Sequence, residues 1–187
     1  GIDLDTWKYS PSQYYTTWYH IGSMHWHANA EAVQWYLDTV HPLLQKVDEK
    51  YKLSLAGKGI DSHSFGTIRS LQVNDNVPSA FEFVKECDIC VVPLKSGSGI
   101  RLKILEAMAA GKLVVSTTVG AQGIDYTDGI NLLIADRPDE YLTIYKRLMN
   151  GEIDTATIVK NARKLVEENY STDALALKQI AFYKSLK

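Results

Sequence analysis

Five residues in one short stretch have the types and spacing for chemistry on a phosphate: Gly97, Ser98, Gly99, Arg101 and Lys103. Small residues at 97–99 allow an anion to approach main-chain N–H groups. The stretch joins an apolar run, Ile89 to Leu94, to a helical pattern that stops at Gly111. A helix N-terminus presents unpaired N–H groups and the positive end of its dipole, which is where phosphate binds. Arg101 can hold a phosphate through two parallel bonds, while Lys103 acts as a point charge. Two residues apart on a helix, their side chains point in different directions. Both therefore reach one ligand only if Arg101 lies in the loop or on a frayed first turn. Otherwise one of them is a solvated surface cation, and Lys103 is the first candidate for that. Glu106, one turn on, sits among Leu105, Ala107, Met108 and Ala109, an apolar setting in which a carboxylate needs a partner. Its two acceptor oxygens suit a vicinal diol; the alternative is an i,i+3 pair with Lys103. An anion cradle followed by an acid for hydroxyls describes a sugar–phosphate ligand.

Alternating apolar strands and helices must position these residues. Thr16 to Ile21 reads as a strand ending in the Gly22-Ser23-Met24 turn, and Asn29 reads as the cap of a helix carrying Val33, Leu37, Val40, Leu44 and Val47. Pro42 predicts a kink or break in that helix. Further strands are expected at Tyr51 to Ala56, Ser70 to Val73, Ile89 to Leu94, Leu113 to Ser116 and Asn131 to Ala135. Helices are expected from Pro78 to about Glu86, through the 101–110 pattern, and at Asp139–Met149, Thr155–Glu168 and Thr172–Leu186, the last capped by Ser171 or Thr172. Strands rich in Val, Ile and Leu alternating with helices predict an α/β fold, a Rossmann-like doubly wound parallel sheet with helices on both faces. Ligands then bind at the C-terminal ends of the strands. The glycine turns at Gly22, Gly57 to Gly59 and Gly97 to Gly99 would all lie on that edge. No internal repeat or low-complexity linker divides the chain, so one domain is expected.

Composition narrows the function classes. The chain has 187 residues, 45% of them hydrophobic, with four Trp and eleven Tyr, which is ample for a core. A net charge of −2 with scattered Lys and Arg offers no nucleic-acid footprint. No apolar run reaches membrane-spanning length, and the opening Gly1-Ile2-Asp3-Leu4-Asp5 is not a signal peptide. Lacking an initial Met, the chain reads as a fragment or a processed form. Cys87 and Cys90 form a C-x-x-C running from a helix end into a strand, the reverse of the thioredoxin arrangement, with no second pair to complete a zinc site. Two buried, reduced thiols in a reducing cytosol is the better reading. The His25-Trp26-His27 loop has no carboxylate nearby in sequence, so a metal pair is not expected, although Trp26 could cover a ligand. Asn169-Tyr170-Ser171 matches a glycosylation sequon but is more simply a helix junction. A dinucleotide fingerprint would follow the first strand, whereas this glycine run is mid-chain, and neither Gly57-Lys58 nor Gly111-Lys112 continues as a P-loop.

The segment Gly97-x-Gly99-x-Arg101-x-Lys103-Ile104-Leu105-Glu106-Ala107-Met108-Ala109-x-Gly111-Lys112, continuing through Leu113 to Thr117, strongly resembles the donor-binding signature of GT-B glycosyltransferases, specifically the family-4-like "group 1" retaining enzymes. His20-Ile21-Gly22-Ser23-Met24 resembles the first strand and turn of their C-terminal domain, and Leu55-Ala56-Gly57-Lys58-Gly59 their second glycine turn. The similarity covers nearly the whole chain but only half of the enzyme, since the acceptor-binding N-terminal domain would precede Gly1. It implies a nucleoside-diphosphate-sugar donor as partner, metal-independent transfer with retention, and no cofactor beyond the donor substrate. The catalytic residues it implies are Arg101 and Lys103, stabilising the leaving diphosphate. The implied donor contacts are Gly97, Ser98, Gly99, Ile100 and Arg101 around the phosphates and Glu106 on the ribose. Gly22 at the first turn, Lys58 and Gly59 at the second, and Val77 beside Asn76 complete the set. A missing N-terminal domain is the implied partner, and the cytoplasm the implied location, with any contact to the inner membrane left to that domain. The pattern departs at Ser98, where the family usually carries a glutamate, and at Ser23 to Ala28, which lack the usual Arg and Lys. A non-catalytic nucleotide-sugar-binding module and a GT-B-fold epimerase are the alternatives.

Overall fold

The computed structural model describes residues 1–60 and 68–186. Six strands form one parallel sheet in the order β3-β2-β1-β4-β5-β6, the doubly wound arrangement expected. They are β1 (Thr17–Ile21), β2 (Lys52–Gly57), β3 (Leu71–Asp75), β4 (Ile89–Val92), β5 (Leu113–Ser116) and β6 (Leu133–Ile134). Every residue of β4 and β5 is buried, as uninterrupted Ile/Val/Leu strands covered on both faces must be. Alternate side chains feed two cores. Trp18, Ile89, Val91, Leu113 and Val115 pack on one face with α1 (His27–Thr39), α2 (His41–Val47) and α5 (Pro138–Met149). Tyr19, Cys90, Val92 and Val114 pack on the other with α3 (Ala80–Lys85), α4 (Leu102–Ala109) and part of α6 (Thr155–Asn169).

Local chemistry sets the boundaries. Pro42 lies in the first turn of α2, so the long helical pattern breaks, and Val40 ends α1 and begins α2. Asn29 is not the cap of α1: Trp26 holds that position, and Asn29 turns its side chain elsewhere. β4 stops at Val92 rather than Leu94 because Pro93 has no N–H for the ladder. β6 shrinks to two residues, since Asn131 accepts a bond from the Thr127 amide within a turn instead of joining the sheet. Ser79, Asp154 and Ser171 cap α3, α6 and α7 (Thr172–Ser185), each accepting a bond from an N–H three residues on. The N-terminal segment is strapped to the body: Arg163 donates to the carbonyls of Trp7 (2.9 Å) and Ala109 (2.6 Å), and buried Lys112 donates to Ser12 Oγ and the Lys85 carbonyl. α7 buries none of its residues.

Candidate functional site

Because the strands are parallel, β2, β1 and β4, which are neighbours, deliver their C-terminal turns to one edge. The first two turns meet backbone to backbone. A Cβ on Gly57, whose φ is +140°, would overlap the Gly22 carbonyl, and Met24 N donates to the Lys58 carbonyl at 2.9 Å. Only glycine fits at 57.

The third turn carries the cations. Gly97 (φ +112°) and Gly99 (φ +86°) bend the chain so that Arg101 enters α4 in extended conformation as its N-cap. This is the loop placement that lets Arg101 and Lys103 serve one ligand. Arg101 is only 9% exposed. Its Nη1 donates back to the carbonyls of Ser98 and Gly99, the latter at 3.1 Å. Nη2 occupies the space a Cβ on Gly97 would need, and Nε is buried with no partner. One edge of the guanidinium thus organises the loop while the Nε–Nη2 edge stays unpaired. No side chain caps α4; the Ile104 N–H turns back to the Arg101 carbonyl at 2.9 Å, which leaves the N–H groups of Leu102 and Lys103 at the helix end without a side-chain partner.

Lys103 is not a solvated surface cation. Its Nζ lies 3.1 Å from His20 Nε2 and 3.0 Å from Asn29 Oδ1. A Cβ on Gly22 would stand 2.6 Å from that Nζ, which makes Gly22 the floor of the lysine's seat. His20 Nδ1 lies 2.9 Å from the Val91 carbonyl. A carbonyl only accepts, so Nδ1 carries the proton and Nε2 turns its lone pair to the ammonium. Burial, then Lys103 itself, holds His20 well below the ordinary imidazole range. Burial also lowers Lys103 to about 8; Arg101 adds to this, while Cys90 and Glu106 oppose it. Glu106 is partly buried, which raises its carboxyl, with Lys103 opposing. The i,i+3 pair is not made, because Lys103 turns to His20 and Asn29 instead.

Between α1 and the third turn lies a cleft of about 640 Å³. Gly97, Ser98, Ile100, Arg101 and Lys103 line it, opposite Trp26, His27, Ala28 and Asn29. Gly22 joins through the Lys103 head. Gly99 shapes the loop without lining the cleft, and Glu106 lies one turn beyond. Lys58 and Gly59 are exposed at the β2 turn, with Gly59 against the His25 ring, and Val77 is partly buried after β3. None of these three lines the cleft. Sequence reasoning missed His20 and misread Asn29. The available signal was a histidine inside an apolar strand, two residues before a glycine. Trp26 is 71% exposed at the cleft wall. Cys87 and Cys90 are free and buried, and burial pushes both thiols up to about 12. Among the described residues no cluster of His, Cys, Asp or Glu could hold a metal, and no helix is long and apolar enough to cross a membrane.

Comparison with known proteins places this geometry. A protein in the cps region of Klebsiella pneumoniae is 30% identical over 165 residues, covering 81% of this chain and 42% of the relative. The HepE protein of Anabaena, solved in complex with UDP, superposes with a TM-score of 0.74 at 17% identity, over 100% of this chain and 56% of HepE. The C-terminal domain of a group 1 glycosyl transferase from Francisella tularensis superposes with a TM-score of 0.68 at 17% identity, over 92% of this chain and 100% of that domain. The fold is therefore one half of the GT-B architecture, and the chain spans less than half the length of the curated relatives it matches. Residues 16–150, which include every residue of the cleft, match the group 1 glycosyl transferases, and the chain belongs to that family.

Proposed function

We propose that this chain is the donor-binding domain of a retaining glycosyltransferase, which takes a sugar from a nucleoside diphosphate and passes it to an acceptor held by a preceding domain. The observation that carries the reading is the unpaired Nε–Nη2 edge of Arg101, beside an uncapped helix end and the Lys103 ammonium. Three sources of positive potential converge on one cleft with no carboxylate among its lining residues. As the glycosidic bond to the donor breaks, negative charge builds on the departing diphosphate. Preorganised cations and N–H groups stabilise that charge without needing to reorient. Arg101 and Lys103 supply this in the metal-independent mechanism proposed. Glu106 binds the ribose hydroxyls, and the turns at Lys58, Gly59 and Val77 face the base. Supporting this ligand class, HepE was solved with UDP and with UDP-glucose. The retaining outcome rests on the family resemblance. On this reading the chain alone binds donor and transfers nothing, and the intact enzyme serves polysaccharide biosynthesis in the cytoplasm.

Ser98, at a cleft position where the resembling enzymes usually carry glutamate, favours one second reading: a nucleotide-sugar-binding module without transferase activity. A thermal-shift panel of UDP-, GDP- and ADP-sugars tests the first step. At least one should stabilise the protein, and Arg101→Ala and Glu106→Ala should remove the shift. Stabilisation by NAD with no response to nucleotide sugars would refute the proposal. Transfer assays on the full-length protein separate enzyme from module.

A further inference from the structure

Lys103 is seated unlike a structural lysine. A buried ammonium is ordinarily compensated by a carboxylate. Here both partners are neutral: the lone pair of His20 Nε2 at 3.1 Å and the amide oxygen of Asn29 at 3.0 Å. They occupy two of its three N–H donors and leave one, with the full positive charge, for the cleft that Lys103 lines. His20 is itself fixed, buried in β1 and tied to the Val91 carbonyl, and Asn29 is tied to the Ser23 carbonyl at 2.9 Å. A carboxylate at position 20 would hold the lysine equally well but cancel its charge, and an aliphatic residue would not hold it at all.

We propose that His20 is a positioning residue that presents Lys103, through a neutral acceptor, to the donor's diphosphate, and that diphosphate binding at alkaline pH draws one proton from the solvent onto Lys103. The inference rests on the donor-binding reading above. The groups facing the ammonium are His20 from β1, Asn29 from α1, Cys90 from β4, and Arg101 and Glu106 from α4. Burial keeps Cys90 protonated and His20 neutral through the range that matters. Lys103, lowered to about 8, is the group among them that changes charge between pH 7.5 and 9. Above pH 8 the free site holds a neutral amine, Lys103–NH2. The diphosphate selects Lys103–NH3+, and the added proton comes from bulk buffer.

The probe is UDP, with ADP and GDP as further arms, titrated calorimetrically at pH 7.5, 8.25 and 9 in two buffers of different ionisation heat. Affinity should fall about eightfold between pH 7.5 and 9, with proton uptake rising toward one per nucleotide, as a single group titrating near 8 requires. Lys103→Met should bind weakly and without pH dependence, and Glu106→Gln should keep the slope. His20→Gln, which retains a neutral acceptor, should keep the wild-type profile, whereas His20→Leu should move its midpoint to lower pH. Carbon-13 NMR of the Lys103 Cε reports the same midpoint without ligand, so a loss of fold in His20→Leu is seen directly and His20→Gln then decides. A flat wild-type affinity over this range overturns the proposal. So does a Lys103 midpoint that is the same with His20, Gln or Leu at position 20. If no nucleoside diphosphate binds any of the proteins, the donor-binding reading itself has failed.

Discussion

Replacing Arg101 by lysine preserves the charge and removes the fork, and the structure predicts that this is nearly as damaging as removing the side chain. One edge of the guanidinium holds the Ser98 and Gly99 carbonyls, and the other, with Nε unpaired, is left for an anion. An ammonium can reach one of these places but not both. Losing the phosphate bond costs about 1.5–3 kcal/mol, the usual worth of a hydrogen bond to a charged group. The loop at Gly97 and Gly99, both with positive φ, must then also be ordered on binding. A combined loss of about 2–3 kcal/mol corresponds to a Kd raised about 30- to 150-fold. Titration of UDP by calorimetry reads this for Arg101→Lys and Arg101→Ala side by side. Hydrogen exchange at residues 97–101 should speed up in both, while the melting temperature moves little, because the core clusters do not include Arg101. If Arg101→Lys binds UDP within threefold of wild type, charge alone suffices and the two-edged role is wrong.

Gly22→Ala should fold normally yet lose about tenfold in UDP affinity, because its methyl would stand 2.6 Å from Lys103 Nζ and push out a flexible side-chain end rather than backbone. Unchanged affinity would mean that the lysine seat does not matter for binding. The unfolding free energy of wild type minus that of Lys103→Met should rise with pH by up to about 3 kcal/mol, since burial penalises the charged lysine below pH 8 and the penalty fades toward 10.5. Chemical denaturation across that range checks the sign, and a difference that falls with pH refutes it. Cys87 and Cys90, buried and pushed up to about 12, should react with thiol reagents at pH 8 only as fast as the protein unfolds. Rapid labelling of the native protein would contradict this.

Much of the fold was legible in the sequence because the relevant physics is local. Runs such as Ile89–Val92 and Leu113–Ser116 can hardly be anything but buried strands, Pro42 had to break a helix, and Ser79 and Ser171 cap the helices they precede. The glycine run with Arg101, Lys103 and Glu106 singled out the third turn as a candidate anion site for the same reason: loop, dipole and cations are contiguous in the chain. Boundaries failed where a tertiary partner intervened. Asn29 was read as a cap by its type, but 74 residues separate it from Lys103, the partner that claims its oxygen. His20 lay in plain sight as a polar residue in an apolar strand, yet 83 residues separate it from Lys103. What the sequence determined by itself was the parallel α/β scaffold and the chemical type of its third turn, both set by period, propensity and adjacent charge. Only the tertiary structure decided how the two cations are divided: Arg101 fastens the loop and keeps one edge free, and Lys103 is held by neutral groups from β1 and α1. That division depends on which strand ends the sheet order brings side by side, a long-range outcome that no local pattern encodes.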